Sequence, residues 1–388
     1  MTQRSIILSA TPHLDRIGYY EVNGQKQLHK PTAYFMAGEN WQNVKFNFND
    51  QVFSSYDWTK EPEPQVPLTE FYRRRAQQLR DKYEYLVLMY SGGPDSQNML
   101  NAFIDNNILV DEIVNINSYE RTRIHEGTIH NADWIHNAKP WLDHWFKECG
   151  LKARLTVIDE IDLSKNYMQT LMRRGDYELA FGTTGWVSHI IFKGIWIKYV
   201  PHLWSMMLDG KKIGVIVGSE KPRIEIDAHD RYFTRWFDLT LPDVHLALSE
   251  DADLKDVEFS EFFYHSPENI DLIAKQLHVL KNFMEHHTQD EFYGDDVNKI
   301  VKRRLHTCVS KHNKKHLTYA AFHKIIYPKW NPAIITPKTS ALVDRRSQDN
   351  WWINKFTQEE MKFWYMCFSK IMPFKDQPTL LSKPIYLE

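Results

Sequence analysis

Ser91-Gly92-Gly93-Pro94-Asp95-Ser96 is the densest run of chemistry-bearing residues in the chain. Its paired glycines let the backbone turn tightly and approach a ligand closely. Pro94 fixes a turn and offers no N–H. The amides of such a loop, and of a helix that begins directly after it, can point at an anion. Ser91 and Ser96 add hydroxyl donors, and Asp95 can orient the loop or hold Mg²⁺. Together these residues make a phosphate cradle without a phosphate-binding lysine. The run is not a Walker loop: no G-x-x-x-x-G-K-[ST] occurs, and Gly214 to Lys221 comes nearest but fails the spacing. Nor is there a G-x-G-x-x-G.

A cradle of this kind needs a buried strand before it and a helix after it. Tyr85 to Tyr90 is a continuous apolar run, as expected of a strand covered on both faces. Gln97 to Asn106 carries Met99, Leu100, Phe103 and Ile104 at helical spacing. Further on, Asp111 to Ile116, Ala153 to Ile158 and Ile213 to Val217 read as strands. Asn131 to Cys149 reads as a helix ended by Gly150, and Trp196 to Leu208 as a helix despite Pro201. This β-α-β-α-β alternation predicts an α/β fold with a parallel sheet and helices on both faces. Ligands of such sheets bind beyond the carboxyl ends of the strands.

Other candidates fall at the same edge. Gly218-Ser219-Glu220-Lys221-Pro222-Arg223 follows the strand Ile213 to Val217. Lys221 and Arg223 could clamp phosphates, with Glu220 on Mg²⁺ and Gly218 and Ser219 against the nucleotide. The plain alternative is a solvated turn. Asn117 and Ser118 end the second strand, where this fold class contacts adenine and ribose; they are also ordinary turn formers. Asp159 and Glu160 end the third strand and could serve as metal ligands or bases, or simply start a helix. Gly182-Thr183-Thr184-Gly185 could touch substrate or form a helix entry, and His189, one turn on, reads as structural.

The SGGPDS run resembles the SGGxDS motif of the PP-loop ATP pyrophosphatases, a family that includes asparagine, GMP and NAD synthetases and tRNA thiolation and lysidine enzymes. The resemblance covers about residues 84 to 245, and the flanks are similar to proteins carried by large tailed bacteriophages. It implies a HUP-type sheet and ATP with Mg²⁺ as cofactors. Ser91, Gly92, Gly93, Pro94, Asp95 and Ser96 would receive the pyrophosphate end, with Asp95, Lys221 and Arg223 as catalytic residues. A carbonyl or carboxylate oxygen would attack the α-phosphorus, pyrophosphate would leave, and an amine or other nucleophile would displace AMP. Two alternatives stand beside this: the same activation applied to a base in tRNA or phage DNA, and a nucleotide-binding protein without catalysis. No glutamine amidotransferase segment is evident, so the amine would be free or delivered by a donor protein.

The rest of the chain sets limits. Its 388 residues suggest more than one domain. The expected division is an N-terminal α+β extension over 1–83, a PP-loop domain over 84–248 and a mainly helical region over 249–388. Within the first, Ile17 to Gln27 reads as a hairpin turning at Asn23-Gly24, and Val44 to Phe48 as a strand. Glu61 to Pro67 is a stiff proline-rich linker. Leu68, Phe71, Tyr72, Leu79 and Tyr83 mark one helix face, with Arg73, Arg74, Arg75 and Arg80 expected on the other. Asn269 to His286 reads as a helix, and Lys299 to Lys315 as a basic helix face, the sole support for nucleic-acid binding. With 48 basic against 50 acidic side chains, no global positive field adds to it.

Three cysteines, none in CxxC, fit a reducing cytoplasm and argue against zinc or persulfide chemistry. Glu148-Cys149-Gly150-Leu151 lacks the histidine of a reductase ECGxH and reads as a helix end. The apolar segment Trp186 to Val200 is broken by Lys193 and Lys198 and falls short of the roughly 20 residues that span a bilayer, so no membrane partner is expected. Leu381 to Leu387 should dock onto the body, with Lys383 a candidate to close the site. Trp330, Trp351, Trp352, Trp364 and Tyr365 read as core, with a base-stacking platform as the alternative.

Overall fold

In a computed structural model of the chain, the structure describes residues 18–27, 30–48, 53, 55–117, 138–159, 169, 172–173, 196–218, 221–238, 260–294, 305–329, 357–360, 362 and 380–387. In chain order the elements are β1 (Tyr19–Val22), β2 (Gln25–Gln27), α1 (Lys30–Ala37), β3 (Lys45–Asn47), α2 (Leu68–Lys82), β4 (Tyr85–Met89), α3 (Pro94–Ile104), β5 (Glu112–Asn117), α4 (Lys139–Lys147) and β6 (Arg154–Asp159). Then come α5 (Pro201–Leu208), β7 (Ile213–Val217), β8 (Glu225–Ile226), β9 (Tyr232–Thr234), β10 (Ser260–Phe262), α6 (Ile270–His286), β11 (Tyr293–Gly294), β12 (Leu305–Val309), β13 (His316–Thr318), α7 (Tyr319–Ile326) and β14 (Ile385–Tyr386).

Five strands form one parallel sheet in the order β10-β7-β4-β5-β6. The chain runs outward from β4 through β5 to β6, then returns to the other side of β4 for β7 and β10. That reversal puts a crevice between the carboxyl ends of β4 and β7. Successive residues point to opposite faces, so the strands feed two cores. Leu86, Leu88, Ile113 and Ile216 pack with α2, α3, α4, α6 and α7. Val87, Val114, Ile213 and Val215 pack with Trp196, Ile197, Leu203 and Met207 on the other face. This is the α/β class read from the sequence.

Several boundaries shift. The fifth strand, β10, comes from beyond residue 249, so the parallel sheet does not end at the expected boundary near 248. Among the described residues of the C-terminal region, β11, β13 and β12 form an antiparallel sheet beside the helices α6 and α7. The described part of the basic stretch is a strand and turn, not a helix, and its charges are matched: Lys311 Nζ lies 3.0 Å from Glu285 Oε1, and Lys314 pairs with Asp230. Pro201 does not sit inside a helix; a 3₁₀ turn over Trp196–Tyr199 precedes it, and Pro201 opens α5, where its missing N–H costs nothing.

Arg75 is the clearest correction. It does not share the exposed face of α2 but is 1% exposed, its Nη2 bound to Glu261 Oε2 at 2.7 Å and to the carbonyl of Phe262 at 2.8 Å. Lys82 Nζ and the Tyr83 hydroxyl reach the other oxygen of Glu261 at 2.8 and 2.6 Å. The pair fastens α2 to the edge strand β10. The proline linker is tied down rather than free, because Glu63 accepts from Lys275 and Asn282 of α6.

The predicted hairpin is β1–β2, turning at Asn23 and Gly24 with positive φ at both. Its third strand, β3, falls within the predicted Val44 to Phe48. The C-terminal segment docks as expected: β14 pairs with β9, and Leu387 is buried. Among the described residues no helix is long and apolar enough to cross a membrane.

Candidate nucleotide site

The SGGPDS run occupies the carboxyl end of β4, the central strand, at the crevice. Gly92 takes φ +77° because the chain must reverse there, and a Cβ at that position would lie 2.5 Å from the Ala138 nitrogen. Gly93 caps α3 and Pro94 opens it. The first-turn amides of a helix have no partner within it, and Pro94 has none to offer, so the N–H groups of Asp95 and Ser96 are without a partner inside α3.

The serines shape this loop. Ser96 Oγ donates to the Gly93 carbonyl at 3.1 Å and accepts the Ser91 N–H at 3.3 Å. Ser91 Oγ accepts the Gly93 N–H at 3.4 Å. Behind the loop, Asn115 Nδ2 of β5 donates to the Tyr90 carbonyl at 2.6 Å.

The segment after β7 meets the loop, as the fold class required. A Cβ on Gly218 would stand 3.1 Å from the carbonyl carbon and oxygen of Asp95 and from the Ser96 nitrogen, so glycine permits the approach. Lys221 then places its ammonium 2.8 Å from Asp95 Oδ1. Arg223 takes a different course: its guanidinium stacks 3.9 Å over the Phe237 ring. Asn117 and Asp159 are backbone register partners at the carboxyl ends of β5 and β6. Ser118, Glu160, Gly182 to Gly185, His189, Ser219, Glu220, Cys367 and the tryptophan cluster lie outside the described residues.

Three further groups complete the cluster, and sequence reading missed all of them. The Tyr327 hydroxyl donates to Asp95 Oδ1 at 2.6 Å. The Tyr264 hydroxyl donates to the Asp95 carbonyl at 2.7 Å and accepts from Asn98 at 3.0 Å. His323, fully buried on α7, sets Nε2 3.2 Å from Lys221 Nζ and 3.6 Å from Asp95 Oδ1. The only local signal was a histidine placed on the apolar face of a short amphipathic helix.

Electrostatics follow from this packing. Burial opposes ionisation of Asp95, but the Lys221 ammonium beside it outweighs that cost and holds the carboxyl well below the usual range. Burial first of all holds His323 below the ordinary imidazole range. Burial likewise keeps the Tyr264 and Tyr327 hydroxyls protonated. Cys308 is buried and its thiol pushed up to about 12, which removes it as a nucleophile. Cys149 ends α4 beside Gly150 at φ +66°, the helix stop read from the sequence.

No three metal-ligating side chains gather among the described residues. Asp95 engages Lys221 and Tyr327 through Oδ1, which leaves Oδ2 as a single carboxylate oxygen at the loop. That suits Mg²⁺ carried on a nucleotide, since this ion takes one or two carboxylates and draws its other ligands from phosphates and water.

No family model matches the chain, and no curated protein does. Among solved structures, the NH3-dependent NAD synthetase from Campylobacter jejuni in complex with the nitrate ion is 12% identical, over 76% of this chain and 99% of that one, at a TM-score of 0.27. A likeness at that score carries no weight beside the strand order and the loop themselves.

Proposed function

We propose that the chain is an ATP pyrophosphatase of the PP-loop type that adenylates a carbonyl or carboxylate oxygen. One observation carries this reading. A lysine-free amide loop ends the central strand of a parallel sheet at its reversal point, and a lysine from the neighbouring strand's exit lies against it. The amides at the start of α3 would suit a pyrophosphate, and Lys221 supplies a positive charge that the loop lacks.

In the reaction, the substrate oxygen attacks the α-phosphorus and the bond to the β-phosphate oxygen breaks. The electron pair leaves on pyrophosphate, where loop amides and Lys221 would meet the growing charge. Asp95 Oδ2 would hold Mg²⁺, with Glu220 a second candidate, and the ion would neutralise phosphate charge. An amine, free or supplied by a donor protein, then displaces AMP. The nucleic-acid alternative has lost ground, because Lys311 and Lys314 are engaged by acidic partners.

The test uses ATP labelled separately at the α and γ positions, incubated with small-molecule extract and Mg²⁺. AMP and pyrophosphate are expected; ADP with inorganic phosphate refutes the reading. Asp95→Asn and Lys221→Met should each lower pyrophosphate release by about 10²-fold or more.

A further inference from the structure

We propose that His323 is a positioning residue: its Nε2 lone pair holds the Lys221 ammonium over Asp95, at the mouth of the phosphate loop. The inference rests on the adenylation reading above and gives a part in it to a helix more than 200 positions downstream of the loop.

The geometry assigns the ring's protons. Nδ1 lies 2.7 Å from the Tyr319 carbonyl oxygen, one turn back on α7. A carbonyl oxygen only accepts, so Nδ1 carries a proton. In the neutral ring Nε2 is then an acceptor, and the group facing it at 3.2 Å is the Lys221 ammonium, which only donates. The two contacts fit each other and leave one tautomer. A second proton, on Nε2, would set two cations 3.2 Å apart and drive the lysine off.

The surroundings make this arrangement rigid. His323 is 0% exposed. The Tyr319 ring packs edge-on 3.9 Å from it, and Phe322 and Tyr327 contact its other sides. Lys221 Nζ lies 5.9 and 5.6 Å from the Tyr319 and Phe322 rings, so aromatic faces wall the ammonium in. With one proton on Asp95 and one on His323, the lysine keeps a third donor for a ligand. A flexible four-carbon stem would not hold that aim alone.

The test has a spectroscopic arm and a kinetic arm. Long-range ¹H–¹⁵N spectra of histidine-labelled protein at pH 7.5 should show His323 neutral with its proton on Nδ1. The Nε2 resonance should move when Lys221→Met removes the donor. A cationic ring, a proton on Nε2, or an Nε2 shift indifferent to Lys221→Met overturns the inference.

In the kinetic arm, His323→Leu should cut kcat for pyrophosphate release about tenfold or more with KM for ATP within about twofold. His323→Gln, which offers an amide oxygen to the lysine, should recover most of that loss. Added to Lys221→Met, His323→Leu should cost nothing further. Additive losses, or no rescue by glutamine in variants that melt like the parent, overturn it. If the wild type released no pyrophosphate with any extract, the adenylation reading would fall, and the spectra would still decide the role of His323.

Discussion

Gly92→Ala separates two costs that the loop imposes on its backbone. At φ +77° an L-residue pays about 1–2 kcal/mol for the left-handed conformation. The new Cβ would also lie 2.5 Å from the nitrogen and 2.7 Å from the Cα of Ala138, where α4 begins. Those are backbone atoms and cannot rotate aside, so the strand end or the helix start must shift, at about 1–3 kcal/mol for an overpacked site. The sum, about 2–5 kcal/mol, is a large part of the 5–15 kcal/mol typical of a domain.

Gly150→Ala supplies the control. It has φ +66° with no atom within 4 Å of its would-be Cβ, so it carries the conformational cost alone. The change in unfolded-chain freedom is shared by both variants and cancels in the comparison. Urea unfolding of each, with ATP binding measured at low denaturant, should place Gly92→Ala about 1–3 kcal/mol below Gly150→Ala, and Gly92→Ala alone should lose nucleotide. Equal midpoints, or full ATP affinity in Gly92→Ala, would refute the close approach of loop and α4 on which the cradle depends.

Gly218→Ala should be milder for the fold and severe for the site. Its Cβ would press at 3.1 Å on Asp95 and Ser96, so ATP affinity should fall by about tenfold or more while the melting temperature drops by only a few degrees; calorimetry and equilibrium dialysis check the two halves. Glu261→Ala leaves Arg75 charged and buried without its carboxylate, and should cost about 3–5 kcal/mol in denaturant unfolding, whereas Glu70→Ala, at a water-facing ion pair, should move the midpoint far less. His265 is held down to about 4 by burial, between the rings of Phe53 and Trp236. The unfolded chain therefore binds a proton that the fold refuses, and stability should fall as pH drops from about 6.5 to about 4, by about 3 kcal/mol in all. His265→Phe should flatten that slope in melting curves taken across the range.

The candidate site at the sheet edge was readable because its parts are local. A buried apolar run, two glycines, a proline at a helix start and an amphipathic helix all fall within twenty residues, and the strand periodicity placed Lys221 at the same edge. His323, Tyr264 and Tyr327 were not readable. Each is a single residue whose role depends on the tertiary path of the chain, and no short-range pattern distinguishes a histidine that meets a lysine from one that fills a core. Arg75 lay between these cases. Seven residues after Leu68 and four before Leu79, it falls on the apolar stripe of α2, but the Arg73-Arg74-Arg75 triplet reads as one solvated group. The basic stretch misled for a related reason. Charge density says nothing about partners, and Glu285 and Asp230 are remote in sequence.

The reach of one hydrogen bond has a consequence for synthesis of the chain. Tyr327 meets Asp95 across 232 positions. A nascent polypeptide paused after β7 would already own the loop and the strand beneath it, yet neither Tyr327 nor the helix that steadies Lys221 would have left the ribosome. Contacts of such separation form late. The cluster around Asp95 would then close only once residues 319–327 have been made and have packed against the loop.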